Sequence, residues 1–327
     1  TAAGLSLAGD FPLPDQPAMV HHQEARFMMG TLARIETWAP SLEKAEAAVQ
    51  AGFQALAQMD SVFSTWRSDS EISAINATAF HKSVGVSKAF AQVLITSLKV
   101  HGASDGAFDP TVLPLVQLWG FRSDNPIRPS QVEIETCLQA VGLNRIHWDA
   151  SSAQLTFPSQ KMQFDFGGVA KGYALDQGAA AMQKQGAVAG FLDLGGGLLV
   201  FGHQAQQRVG IFNPRDETNP LAILPLNSGA LATSGQYERN HQDEQGKWGH
   251  ILDPRTGQPC PFNGSVTVKA PNAMLADALA TAAYVLGPIK GLALVEGWPL
   301  CEGLWVEWSD EGSIKTQSTS GLKIDNP

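Results

Sequence analysis

The chain has 327 residues, 44% hydrophobic and 16% charged, a balance that supports a large folded core and excludes intrinsic disorder. Twenty-two lysines and arginines stand against 31 aspartates and glutamates, a net charge of −9; that field repels nucleic acid and acidic membranes, and no basic run offsets it. The three cysteines, Cys137, Cys260 and Cys301, are far apart and form no C-x-x-C, which argues against a zinc knuckle or a thioredoxin-type site and leaves one disulfide or three buried thiols.

Thr1 to Gln23 is rich in Gly, Pro, Asp and His without a period and reads as an extended arm, 1–23, ahead of one large domain at 24–327. A start at Thr1 rather than Met fits a trimmed chain or a mature exported one. Thr31 to Trp38 alternates as a strand. Ser41 then caps a helix whose apolar positions, Leu42, Ala45, Val49, Phe53 and Leu56, recur at three and four residues. After the loop Phe63-Ser64-Thr65-Trp66-Arg67, a short helix is expected from about Ser70 to Asn76 and an amphipathic one over Lys88 to Lys99. Asp109 to Gly120 contains Pro110 and Pro114 and is expected to begin as a loop. Arg145–Asp149, Gln154–Phe157 and Met162–Asp165 read as successive strands. A helix over Val169 to Gln185 is followed by strands at Gly190–Leu194, Gln207–Phe212, Leu221–Leu226, Val266–Lys269 and Leu304–Trp308, and Met274 to Leu286 is a buried, alanine-rich helix. No apolar run reaches the roughly 18 residues of a membrane span. Strands grouped by hairpins with helices between them imply an α+β fold of mixed, largely antiparallel sheets layered with helices, one large domain of two interleaved halves.

Two segments carry most of the chemistry. In Asp165-Phe166-Gly167-Gly168-Val169-Ala170-Lys171-Gly172, a strand-like run ends in an acid and turns through paired glycines into a helix, either a plain corner or an anion seat at a helix start. It is neither a Walker A loop nor G-x-G-x-x-G. In the second, Asp277 and Thr281 lie four apart, so a helix stacks a carboxylate and a hydroxyl on one face, a pair suited to a hard cation such as Mg²⁺. The bland alternatives are a Thr bonding its own backbone and an Asp capping a neighbouring helix, yet an acid in an apolar helix is costly unless partnered. A phosphate seat beside magnesium ligands points to chemistry on a diphosphate. His250 precedes an Asp253-Pro254-Arg255-Thr256-Gly257 turn and is a candidate general base. Gly106-Ala107-Phe108-Asp109 is either a turn whose Asp bonds its own backbone or part of a site; Trp66 either stacks on a flat ligand ring or packs. Thr233-Ser234-Gly235 lacks the spacing of a nucleophile elbow.

Taken together, the chain resembles the ApbE-like family of FAD:protein FMN transferases. The resemblance rests on Met29-Gly30-Thr31, Phe63 to Glu71, Gly106 to Val112, Leu118 to Phe121, Asp165 to Tyr173, Asp193 to Gly196, Ala232 to Gly235, His250 to Gly257 and Met274 to Thr281, collinear from Met29 to about Gly287. It implies an ApbE-like fold and a Mg²⁺-dependent reaction in which FAD donates FMN, through a phosphoester bond, to a Thr or Ser hydroxyl of an acceptor protein and AMP is released. By the same resemblance Asp277, Thr281 and the carbonyl of Gly168 hold the metal. His250 is the catalytic base, and Met29, Trp66, Ala107, Phe108, Asp109, Asp165, Lys171 and Leu252 line the FAD site. A membrane-associated electron-transfer subunit as acceptor and a periplasmic location are implied as well. The chain departs from the family pattern at Trp66, where Tyr is usual, at Gly197, where many members carry Glu, and at Gln236, which replaces a frequent Asp. Competing readings with the same residues are a metal-dependent FAD pyrophosphatase and a non-catalytic FAD carrier or assembly factor.

Overall fold

The structure, a computed structural model, describes residues 19–123, 126–202, 207–216, 218–236, 240–243, 246–309 and 311–325. Its backbone is a single eight-stranded antiparallel sheet: β1 (Val20–Met28), β2 (Thr31–Ala39), β3 (Ala189–Leu194), β4 (Gly197–Phe201), β5 (Gly229–Gly235), β6 (Gly264–Ala270), β7 (Glu302–Trp308) and β8 (Ile314–Ser318). Spatial order equals chain order. Each strand pairs antiparallel with the next, and the helices arise as long excursions between neighbouring strands. The expected α+β architecture is the observed one.

Seven helices are described: α1 (Leu42–Phe63), α2 (Glu71–Thr78), α3 (Lys88–Ala103), α4 (Leu113–Leu118), α5 (Gln131–Leu138), α6 (Ala170–Lys184) and α7 (Ala273–Glu296). Ser41, Ser70, Ser87 and Ser130 cap α1, α2, α3 and α5 through their side-chain oxygens, each satisfying an amide the helix leaves unpaired. The main core lies between α1, α3, α6 and α7 and one face of the sheet, with Ile35, Leu56, Phe90, Leu175, Leu192 and Leu279 all buried. A hairpin of Gln207–Ile211 and Ala222–Leu226 covers the other face over Leu198, Leu231 and Val306. A satellite cluster joins α4 and α5 to Trp248 and Leu252. The three cysteines are free thiols.

Several expectations are corrected. Residues 1–18 of the expected arm lie outside the described set, but Val20 to Gln23 already belong to β1, pairing with Ala39 to Glu36. The sequence hid this strand because it is an edge strand with no buried residue, so polarity does not alternate. Met162–Asp165 is not a strand. Met162 and Phe164 are buried, which accounts for the apparent alternation, but one edge makes only an isolated parallel bridge, Gln163 with Val112. On the other the side chain of Asn76 stands in for a strand, accepting from the Phe164 amide at 2.7 Å and donating to its carbonyl at 2.9 Å. Asp109–Gly120 begins as a loop, as expected, and α4 then forms with Pro114 in its first turn, where a missing N–H costs nothing. Helix α7 runs past Leu286 to Glu296, broken at Gly287 (φ 78°) just before Pro288. By length and composition alone it would suffice to cross a membrane; here it is a core helix with Ala276, Ala278, Leu279, Ala280, Ala282 and Ala283 inaccessible to solvent.

Candidate active site

The two chemistry-bearing segments meet where the N-terminal ends of α6 and α7 pack side by side. Helix α6 has no side-chain cap of its own. Instead Asp277 of α7 accepts the Gly172 amide at 3.0 Å. In return Asp176 of α6 accepts the amides of Ala273 and Met274, at the start of α7, at 2.8 and 3.0 Å. Each helix thus carries the acid that satisfies the other's first turn, and both acids sit in the positive field of a helix N-terminus. Contact this close requires glycine: a Cβ on Gly172 would lie 2.1 Å from the Ala273 carbonyl oxygen, and one on Gly168 2.7 Å from the Thr281 hydroxyl.

One turn along this seam, Thr281 Oγ1 lies 3.5 Å from the Gly168 carbonyl oxygen and 3.4 Å from Ser234 Oγ at the end of β5. These contacts are long, so three oxygens converge without consuming one another's lone pairs. Asp277 is half-buried, and its carboxyl is pushed above the ordinary range by burial, against the opposing pull of Lys171 and the Gly172 amide. A carboxylate so poorly compensated, near a hydroxyl and a carbonyl, is a donor set for a hard divalent cation. Among the described residues no group of three or more His, Cys, Asp and Glu side chains gathers as a metal site. One carboxylate with a hydroxyl and a carbonyl is an all-oxygen set of the kind Mg²⁺ accepts, the rest of its shell being water or phosphate.

The glycine corner supplies the next groups. Asp165 donates its amide to the Pro110 carbonyl at 2.7 Å and accepts the Gly167 amide on its carboxylate at 2.7 Å. Its carboxyl is raised by burial, opposed by that amide and by the charges of Arg122 and Lys171. Lys171 Nζ lies 3.5 Å from the Gly167 carbonyl, so two cationic groups flank the corner. Beside it, Ala107 and Phe108 are buried in the main core. Asp109 behaves as the turn alternative proposed: it accepts from the Thr111 amide and hydroxyl (2.8 and 2.6 Å) and the Leu143 amide (2.8 Å), with His101 Nδ1 at 3.5 Å. Trp66 is 70% exposed.

His250 joins two hairpins, Asn240–Asp243 with Gly246–Gly249 and Leu252–Asp253 with Gln258–Pro259. The second is closed by the expected turn: the Asp253 carbonyl accepts the amides of Thr256 and Gly257, and its carboxylate grips Arg255 at 2.8 and 2.7 Å. Gln236, two residues past Ser234, donates to the Ile251 carbonyl at 3.1 Å and packs against Gly249. It therefore holds the backbone on both sides of His250 to the end of the strand that touches Thr281. Leu252 is buried in the satellite cluster with Leu115 and Trp119. Met29 occupies a left-handed position (φ 49°) in the β1–β2 turn. That turn reaches the same sheet end: Thr31 abuts Gly195, and the Gly196 carbonyl accepts the Thr233 amide at 2.9 Å. Ser234 lies in the Ala232–Gly235 motif, which does not by itself single out this hydroxyl, and Arg122 carries no local signal in the sequence.

Residues 29–304 match the ApbE family. The chain is 34% identical over 310 residues to the FAD:protein FMN transferase of Escherichia coli K12, covering 90% of this chain and 87% of that protein. With the Treponema pallidum protein of the same name it shares 30% over 305 residues, covering 87% and 84%. Its fold superposes on the crystal structure of the ApbE protein of Thermotoga maritima with a TM-score of 0.81 at 30% identity, covering 90% of this chain and 96% of that one. On the flavin transferase ApbE of Vibrio cholerae the TM-score is 0.82 at 27% identity, covering 93% and 98%.

Proposed function

This chain belongs to the ApbE family of flavin transferases, and on that premise we propose that it moves FMN from FAD to a Thr or Ser hydroxyl of an acceptor protein, in a Mg²⁺-dependent reaction that releases AMP. The observation that carries this reading is the convergence of Thr281, Gly168 and Ser234 oxygens one turn from the half-buried Asp277, at a glycine corner flanked by Lys171. Asp277, Thr281 and the Gly168 carbonyl would hold the cation, which when bound offsets diphosphate charge and the charge that develops on the leaving AMP. The amides at the start of α6 and the Lys171 ammonium serve the same diphosphate.

The chemistry is displacement at phosphorus. The acceptor's hydroxyl oxygen forms a bond to the FMN-side phosphorus, the phosphorus–oxygen bond to AMP breaks, and the hydroxyl proton passes to His250. Because such transfers are driven by positioning and electrostatics, the chain's work is to hold the dinucleotide in line. Trp66, Met29 and Leu252, with the 107–109 loop and Asp165, would bound it within the 24–327 domain. Family resemblance supports a membrane-associated electron-transfer acceptor and a periplasmic location. The test is incubation with FAD, Mg²⁺ and candidate acceptors: AMP release together with covalent flavin fluorescence on the acceptor supports transfer. AMP with free FMN only identifies a pyrophosphatase, and FAD binding without AMP a carrier.

A further inference from the structure

Trp66 is the most exposed tryptophan of the site region, yet it is not loosely held. Its loop is cross-braced: Ser70 Oγ donates to the Ser64 and Arg67 carbonyls at 2.7 and 3.0 Å, and Ser73 Oγ to the Arg67 carbonyl at 2.6 Å. Arg67 forks onto Asp69 at 3.0 and 2.8 Å. Arg122 then reaches in from a different part of the chain. Its guanidinium lies 4.2 Å from the Trp66 ring centroid, and its Nη2 donates to the Thr65 carbonyl at 2.6 Å. The backbone that presents Arg122 is fixed as well. Helix α4 ends with the Phe121 amide on the Val116 carbonyl (3.2 Å) and the Gly120 amide on the Gln117 carbonyl (3.0 Å), Gly120 taking φ 70°. This is the Schellman arrangement.

We propose that Arg122 is a positioning residue for the dinucleotide: it clamps the Trp66 ring from one side, so that the opposite, solvent-facing side forms a fixed stacking platform for a flat ring of the ligand. A guanidinium over an indole is the strongest of the ordinary cation–π pairings. Anchoring the same guanidinium to the carbonyl one residue before the ring removes the ring's freedom before any ligand arrives, which lowers the entropy lost on binding. The guanidinium also lies close enough to act on the Asp165 carboxyl at the glycine corner, so the platform and the anionic edge of the site share one cation. The inference rests on the flavin-dinucleotide reading of the site.

The test separates KM from kcat in Mg²⁺-dependent AMP release from FAD, alongside equilibrium FAD binding followed by flavin fluorescence. Arg122→Ala is expected to raise KM and the dissociation constant for FAD about fivefold, the upper end for an exposed cation–π contact, while kcat stays within about twofold. Arg122→Lys should recover most of the loss. In a Trp66→Ala background the Arg122→Ala change should add less than about twofold, because the ring it clamps is gone. Arg122→Gln retains a donor for the Thr65 carbonyl but no charge, and decides the matter by the same KM if the alanine variant fails to fold. An unchanged KM, a loss confined to kcat, or full additivity with Trp66→Ala overturns the role of Arg122. Wild-type protein that neither binds FAD nor releases AMP overturns the flavin reading itself, and the inference with it.

Discussion

Gly172→Ala tests whether the seam between α6 and α7 builds the candidate site. The new Cβ would lie 2.1 Å from the Ala273 carbonyl oxygen, 2.6 Å from its carbon and 2.9 Å from Asp277 Cβ. Carbon and oxygen rest at about 3.3 Å or more, and the clash is with backbone at the start of a helix, not with a movable side-chain tip. The helices must separate by about 1 Å. Overpacking of this kind costs about 1–3 kcal/mol, and the separation also weakens the Asp277 bond to the Gly172 amide. A loss of about 2–4 °C in unfolding midpoint per kcal/mol follows for large domains. Activity should fall further than stability, since a displacement of about 1 Å at reacting groups can cost about 100-fold in rate. Thermal unfolding by circular dichroism and Mg²⁺-dependent AMP release from FAD read the two effects. Gly102→Ala, on α3 with no atom near its Cβ position, is the control and should be neutral or slightly stabilising. A Gly172→Ala protein with wild-type melting and wild-type AMP release would refute the reasoning.

Asp277→Asn should raise the melting temperature measured in EDTA, because it removes a carboxylate that burial disfavours, while eliminating Mg²⁺-stimulated turnover; retained magnesium stimulation rules out the cation site. His250→Ala should keep FAD affinity but slow transfer by about 10²–10⁴, the usual contribution of a general base, and unimpaired transfer would remove His250 from that role. Asp176 and Asp193 are both pushed up to about 6 from 3.8, chiefly by burial. Between those values the native protein holds protons that the unfolded chain has already lost. Stability in EDTA should therefore fall as pH rises from about 4 to about 6 and level off above. Asp149 and Asp216, held down to about 2 by hydroxyl and amide donors, act with the opposite sign and only below about pH 4. Urea unfolding midpoints across this range check the slope, and Asp193→Asn should flatten it.

What the sequence made legible was local. The cap at Ser41, the period of α1 and the spacing of Asp277 and Thr281 all depend on neighbours within a turn or two, and each holds in the structure. Likewise, the Asp253–Gly257 turn needs nothing beyond its own residues. What escaped depends on distant partners. Strand β1 exists because β2 pairs with it, not because its own polarity alternates. Met162–Asp165 has the alternation of a strand but finds a side chain where a ladder would be. Ser234 and Arg122 acquire meaning only from Thr281 and Trp66, residues far along the chain. No residue spacing announces that α6 and α7 exchange caps; that follows only from how the two helices pack.

That exchange of caps also explains how a nearly apolar helix can carry a binding site. Helix α7 is packed with alanines at a density that leaves no room for solvent around its buried flank, and an acid there is destabilising unless something offsets its charge. The protein offsets it incompletely: one amide from Gly172 and the charge of Lys171 oppose burial, and burial still dominates. On the proposed reading, a bound cation would relieve that residual cost on the carboxylate. With a single acid to hold it, a divalent ion would keep much of its positive charge, and the remaining donors, Thr281 and the Gly168 carbonyl, are neutral. In the proposed reaction the diphosphate would complete the ion's shell, and Lys171, the cation nearest the corner, would leave much of the diphosphate charge for the ion to offset. Under-compensation on both sides means that each ligand should strengthen the binding of the other, by the same factor in either order.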